Sequence, residues 1–120
     1  MERYMVLEPN GEIRWIQTER EDLLDMLHRE IGCDCVDCVR TVVPDIALIV
    51  DESGKVKEPP QLHNRRASEL YAGWTHGIDI AGPAVLVAIH WRHGDLEWVP
   101  LNELELRRLK ALGISAEVEA

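Results

Sequence analysis

Two groups of residues in this 120-residue chain could do chemistry. The first is Cys33-Asp34-Cys35-Val36-Asp37-Cys38, three thiols within six positions, with His28 upstream. Three thiolates and an imidazole are a tetrahedral zinc donor set, so Cys33, Cys35, Cys38 and His28 could together hold a zinc ion. Structural zinc sites usually add a second cysteine pair elsewhere, and the chain has none. The competing reading packs the cysteines as small apolar side chains where a helix turns into a strand. A nucleophilic role is disfavoured, because Asp34 and Asp37 beside the thiols oppose formation of thiolate.

The second group is His63-Asn64-Arg65-Arg66. Asn64 before a short amphipathic run predicts a helix start, and two cations there oppose the helix dipole. A local cost of this kind suggests a use, and free first-turn amides together with two guanidiniums suit a phosphate or carboxylate. The alternative pairs the arginines with Glu58 or Glu69 on the surface. Trp74, expected in the loop after this helix, is the aromatic candidate for stacking on a ligand held by Asn64, Arg65 and Arg66. His90-Trp91-Arg92-His93 at a strand end could line a pocket, with His90 and Arg92 on one face and Trp91 on the other. No phosphate-loop, dinucleotide, zinc-protease or serine-hydrolase motif occurs, so nothing in the sequence positively identifies an enzyme and no catalytic residue is assigned.

These residues must be positioned by a small fold. Tyr4–Leu7 and Ile13–Ile16 flank Pro9-Asn10-Gly11 and predict a β-hairpin. Thr18 and Glu21 are placed as a capping box for a helix with Leu23, Leu24, Leu27 and Ile31 inward, closed by Gly32. Val39–Val43 and Asp45–Val50 read as strands bent at Pro44, followed by a turn at 51–54 and a short strand over Lys55–Lys57. The helix from Asn64 to about Gly73 leads through Gly82-Pro83 into Ala84–Trp91, apolar enough to be buried on both faces. Leu96 to Pro100 is its partner strand, and Asn102 caps a last helix with Leu104, Leu106, Leu109 and Leu112 inward. The order β-β-α-β-β-β-α-β-β-α predicts an α+β fold: a mostly antiparallel sheet with about three helices in two layers. One domain is expected over 1–114, with a frayed tail over 115–120.

The net charge of −9 and pI near 4.9 argue against generic binding to nucleic-acid backbones and favour basic partners. No apolar run approaches the roughly 20 residues of a membrane span, and the N-terminus has no signal-peptide pattern, so a cytoplasmic protein without membrane contact is expected.

Val50-Asp51-Glu52-Ser53-Gly54-Lys55, Pro60, Asn64-Arg65-Arg66-Ala67 and Asp79-Ile80-Ala81-Gly82-Pro83-Ala84-Val85-Leu86-Val87 resemble the family known as domain of unknown function 3846. Its members are small proteins of phages, plasmids and actinobacteria. The likeness runs from Val39 to about Val99, and the cysteine cluster and His90–His93 depart from the pattern. The resemblance implies no established activity and points to an accessory role in a phage or mobile element. The residues themselves favour a non-catalytic module for an anionic ligand. An acidic module for a basic protein partner, or a zinc protein built on the cysteine loop, are the alternatives.

Overall fold

The computed structural model describes residues 1–33, 35–51, 62–71 and 80–115. Its elements are β1 (Glu2–Leu7), β2 (Ile13–Thr18), a 3-10 turn (Arg20–Asp22), α1 (Leu23–Ile31), β3 (Val36–Arg40), β4 (Ile46–Asp51), α2 (Arg65–Leu70), β5 (Ala84–Arg92), β6 (Asp95–Val99) and α3 (Glu103–Ala111). The α+β class, the antiparallel pairing and the element order agree with the sequence reading. The strand expected over Lys55–Lys57, Trp74, and the tail from residue 116 lie outside the described residues.

The six strands form one sheet in the order β2-β1-β5-β4-β3, with β6 also paired to β5. Val85 and Leu86 pair with both β1 and β4, and Ala88 pairs with both β4 and β6. Hence β1 and β6 share the edge of β5 opposite β4, β1 along its first part and β6 along its second. Arg20 spans the fork between them, donating to Glu2 and the Tyr4 hydroxyl on one side and to the Trp98 carbonyl on the other.

Alternation divides the apolar side chains between the two sheet faces. Tyr4, Val6, Ala47, Ile49, Val85 and Val87 meet Met26, Leu27 and Ile31 of α1. Met5, Leu7, Leu48, Ala84 and Leu86 meet Ala67 and Leu70 of α2 and Leu109 of α3. Helices therefore cover both faces and make three layers, which corrects the two-layer expectation. The physical reason is visible in β4, where all six residues are buried: a strand apolar on both sides needs cover on both sides.

Several local readings also shift. Thr18 donates to the Glu19 carbonyl and forms no capping box; the chain enters α1 through the 3-10 turn, whose cap has no side-chain bond. Gly32 closes α1 at φ 77°, the left-handed conformation a helix end of this type requires. Between β3 and β4 the chain makes a tight connection instead of a bend, with Asp45 at φ 65° and the Thr41 hydroxyl donating to the Val43 and Ile46 carbonyls. Leu104 of α3 and Leu112 at its C-cap are exposed while Glu105 and Leu109, one helical turn apart, point inward. Glu105 belongs inside because it completes a capping box with Asn102 and its second oxygen lies 2.8 Å from His90 Nε2.

Candidate anion-binding cleft

Asn64 does cap α2, and it does more than cap. Its Oδ1 accepts from the Ala67 amide at 3.1 Å, while Nδ2 donates to the Leu7 carbonyl and the Gly82 carbonyl, both at 2.9 Å. The residue has no exposed surface. One turn on, the Ser68 hydroxyl donates to the Asn64 carbonyl at 2.7 Å and accepts from the Ile80 amide at 2.8 Å; the Asn64 amide in turn donates to the Ile80 carbonyl. These bonds fasten α2 to the end of β1 and to the Ile80–Gly82 segment. A buried, fully engaged amide has no polar atom left for a ligand. Asn64 is therefore a latch, and its side chain takes up the Ala67 amide of the helix start, in a helix only six residues long.

The latch places α2 across from the β1–β2 turn. A cleft of about 410 Å³ lies between them, lined by Glu8, Pro9, Asn10 and Gly11 on one wall and Arg65, Arg66 and Glu69 on the other. The turn wall is held by Asn10, whose Oδ1 accepts from the Glu12 amide, and by Gly11 at φ 92°. Sequence reasoning named the helix wall but not its partner. The facing of turn and helix depends on the Asn64–Leu7 bond, which joins residues 57 positions apart and leaves no local trace.

The charges in this cleft are not equal. Arg65 Nε donates to Glu69 at 2.9 Å, the surface pairing that competed with the anion reading. Glu8 lies 2.8 Å from Arg14, which also holds Glu30. Arg66 is half-buried and donates from Nη1 to the Gly113 carbonyl at 3.1 Å, and among the described residues it has no carboxylate partner. A guanidinium carries five donors, so among the described residues most of Arg66's capacity has no protein acceptor while its side chain lines the cleft.

The cysteines are arranged otherwise. None is in a disulfide. The Cys33 thiol donates to the Cys35 carbonyl at 3.2 Å, Cys35 is exposed, and Cys33 and Cys38 pack against the α1-side core. Burial, then the charge of Asp37, pushes the Cys38 thiol above its ordinary range, against the smaller opposing effects of the Trp98 indole and Arg40. His28 sits half-buried on α1. Among the described residues no three His, Cys, Asp or Glu side chains group so as to hold a metal ion, and Cys33, Cys35, Cys38 and His28 are not brought together. Strand geometry accounts for this: Cys38 is committed to a ladder position opposite Ile49, facing the core.

At the far end of β5, His90 turns to Glu105 of α3, while Trp91 is 73% exposed beside its cross-strand partner Leu96. Trp91 is thus an exposed indole on the segment that the sequence offered as a pocket lining. No helix among the described residues is long and apolar enough to cross a membrane.

Comparison with known proteins returned a family model described as "Domain of unknown function (DUF3846)", matching residues 1–109. No curated protein matched. Among solved structures the chain is similar to the small RNA methyltransferase HEN1, with a TM-score of 0.55 at 16% identity; the match covers 91% of this chain and 16% of that one. At that identity the likeness concerns the fold alone.

Proposed function

The chain belongs to the DUF3846 family, and we propose that it is a non-catalytic cytoplasmic module that binds a small anion in the cleft between the β1–β2 turn and α2. The observation that supports this most is Arg66, the cleft cation that has no carboxylate among the described residues. Arg65 is the secondary contact, available once Glu69 releases it; an exposed pair of this kind contributes only about 0–1 kcal/mol and is easily exchanged. Asn64 acts by holding the two walls in register, and Trp74 keeps its proposed stacking role. The setting as an accessory of a phage or mobile element rests on the family resemblance.

Titration with inorganic phosphate and with propionate, followed by amide chemical shifts of labelled protein, tests the reading. Shifts should centre on Asn10, Gly11 and Arg66 and require roughly tenfold more anion in Arg66→Gln. If neither anion moves these resonances at millimolar concentration, the reading is wrong.

A second reading is supported by Glu19, Glu21, Asp22 and Asp25, all exposed around the start of α1. A basic protein partner would meet them there, with binding that weakens steeply with salt. Reversing Glu19, Glu21 and Asp22 to Lys should then abolish capture of that partner while Arg66→Gln leaves it intact. The cysteine loop as a zinc site is the third proposal and requires Cys33, Cys35, Cys38 and His28 to draw together on binding; metal content after purification without chelator tests it, and less than about half an equivalent of zinc removes it.

A further inference from the structure

We propose that the ligand is amphipathic, an aliphatic monocarboxylate whose head sits on Arg66 and whose chain lies in a second, adjoining recess; this rests on the anion reading above. The second recess measures about 190 Å³, some six water volumes, and is lined by Val42, Leu70, Leu112 and Ile114 together with Arg66 and Glu69. Arg66 and Glu69 line both spaces, so the guanidinium stands at the junction of a polar cleft and an apolar one.

Three features specify the ligand. Val42 and Leu112 are 60% and 54% exposed, yet they flank the same recess as the buried Leu70 and Ile114. A single exposed aliphatic side chain is ordinary, but two of them beside two buried ones around one recess form an apolar surface that water covers poorly. Among the described residues the wall between the recesses carries one uncompensated positive charge, since Glu69 is held by Arg65. One charge suits a monoanion; a phosphate dianion would leave a surplus negative charge beside Glu69 and Glu8. Finally, the bond from Arg66 to the Gly113 carbonyl fixes the guanidinium at the end of α3, next to Leu112 and Ile114, so head and chain sites are held in a constant relation.

The test separates head from chain. Dissociation constants of propionate, pentanoate and heptanoate are measured by the same shift titration, at constant ionic strength, with inorganic phosphate and n-hexanol as the head-only and chain-only probes. In the wild-type protein each added methylene should tighten binding by about two- to fourfold. In Val42→Ser and Leu112→Asn that dependence should flatten while propionate binds as before; both positions are exposed, and thermal unfolding verifies that the variants fold. In Arg66→Gln every acid should weaken by roughly tenfold with the chain-length dependence retained. Glu69→Gln should tighten all three acids, because it leaves Arg65 without its carboxylate in the wall of the same cleft. Affinity independent of chain length in the wild type, or a dependence that survives in both recess variants, overturns the proposal. If propionate and phosphate bind through Arg66 but longer acids gain nothing, the anion reading stands and the amphipathic ligand falls. If nothing binds, both fall.

Discussion

Asn64 allows a prediction in which two explanations of one residue give opposite outcomes. If its contribution were the helix cap alone, Asn64→Asp would be almost neutral, because aspartate caps as well as asparagine. If the residue is a latch, the aspartate variant keeps the Ala67 bond but turns an oxygen, in place of the Nδ2 donor, toward the carbonyls of Leu7 and Gly82. Asn64→Ala loses about 1 kcal/mol for the cap and about 1 kcal/mol for each carbonyl left without its donor, roughly 3 kcal/mol together. Asn64→Asp recovers the cap and instead confines a charge, at no exposure, against two acceptors, for a loss of roughly 3–5 kcal/mol. Against a total of about 5–15 kcal/mol, either loss is a large share of stability. Urea unfolding followed by tryptophan fluorescence should show the midpoint falling by roughly 1–2 M at an unchanged slope. Ser68→Ala should cost about 1–2 kcal/mol by orphaning the Ile80 amide, and its effect should be less than additive with Asn64→Ala, since both act on one network. An Asn64→Asp variant within about 0.5 kcal/mol of wild type would refute the latch.

Three further outcomes follow from other parts of the fold. Tyr4, 1% exposed, has its phenol held well above the ordinary value of 10, first by burial and then by its bond to Glu2, against a smaller opposing effect of Arg20. The folded state keeps a proton that the unfolded state releases above pH 10, so this contribution is complete below pH 10 and is lost as pH rises past it. Stability should fall there by up to about 1.4 kcal/mol per pH unit, a slope that Tyr4→Phe lessens in alkaline denaturation curves. Gly32→Ala should cost about 1–2 kcal/mol in thermal unfolding: an added Cβ meets nothing within 4 Å, so the loss is backbone strain at φ 77°, and Gly32→Asn should cost less. With a thiol reagent such as dithionitrobenzoate, exposed Cys35 should supply the fast phase and Cys38, partly buried and with its thiolate disfavoured, the slow one. A fast phase that persists in Cys35→Ser would contradict the placement of these thiols.

What could be read from the sequence was what is decided locally. The Asn10-Gly11 turn, the left-handed Gly32, the Asn64 and Asn102 caps and the buried strands β4 and β5 all follow from a few neighbouring residues. The third layer was not legible, because periodicity says that β4 is buried but not which helix lies on which face. Nor was the inward turn of Glu105 in preference to Leu104: a buried carboxylate makes sense only once His90, 15 positions earlier, is known to meet it. The motif at residues 64–67 shows how the two kinds of information combine. Read alone, Asn64-Arg65-Arg66 is an anion site with a misplaced dipole. Read with residues 80–83, it is one half of a latch whose other half is the Ile80 and Gly82 backbone. Asn64 and Ser68 are then consumed by the fold and Arg65 by Glu69, so the electrostatic oddity narrows from a helix terminus to a single guanidinium. Arg66 is placed by the latch without being used up by it, and for that reason the case for binding rests on its side chain instead of on the helix start.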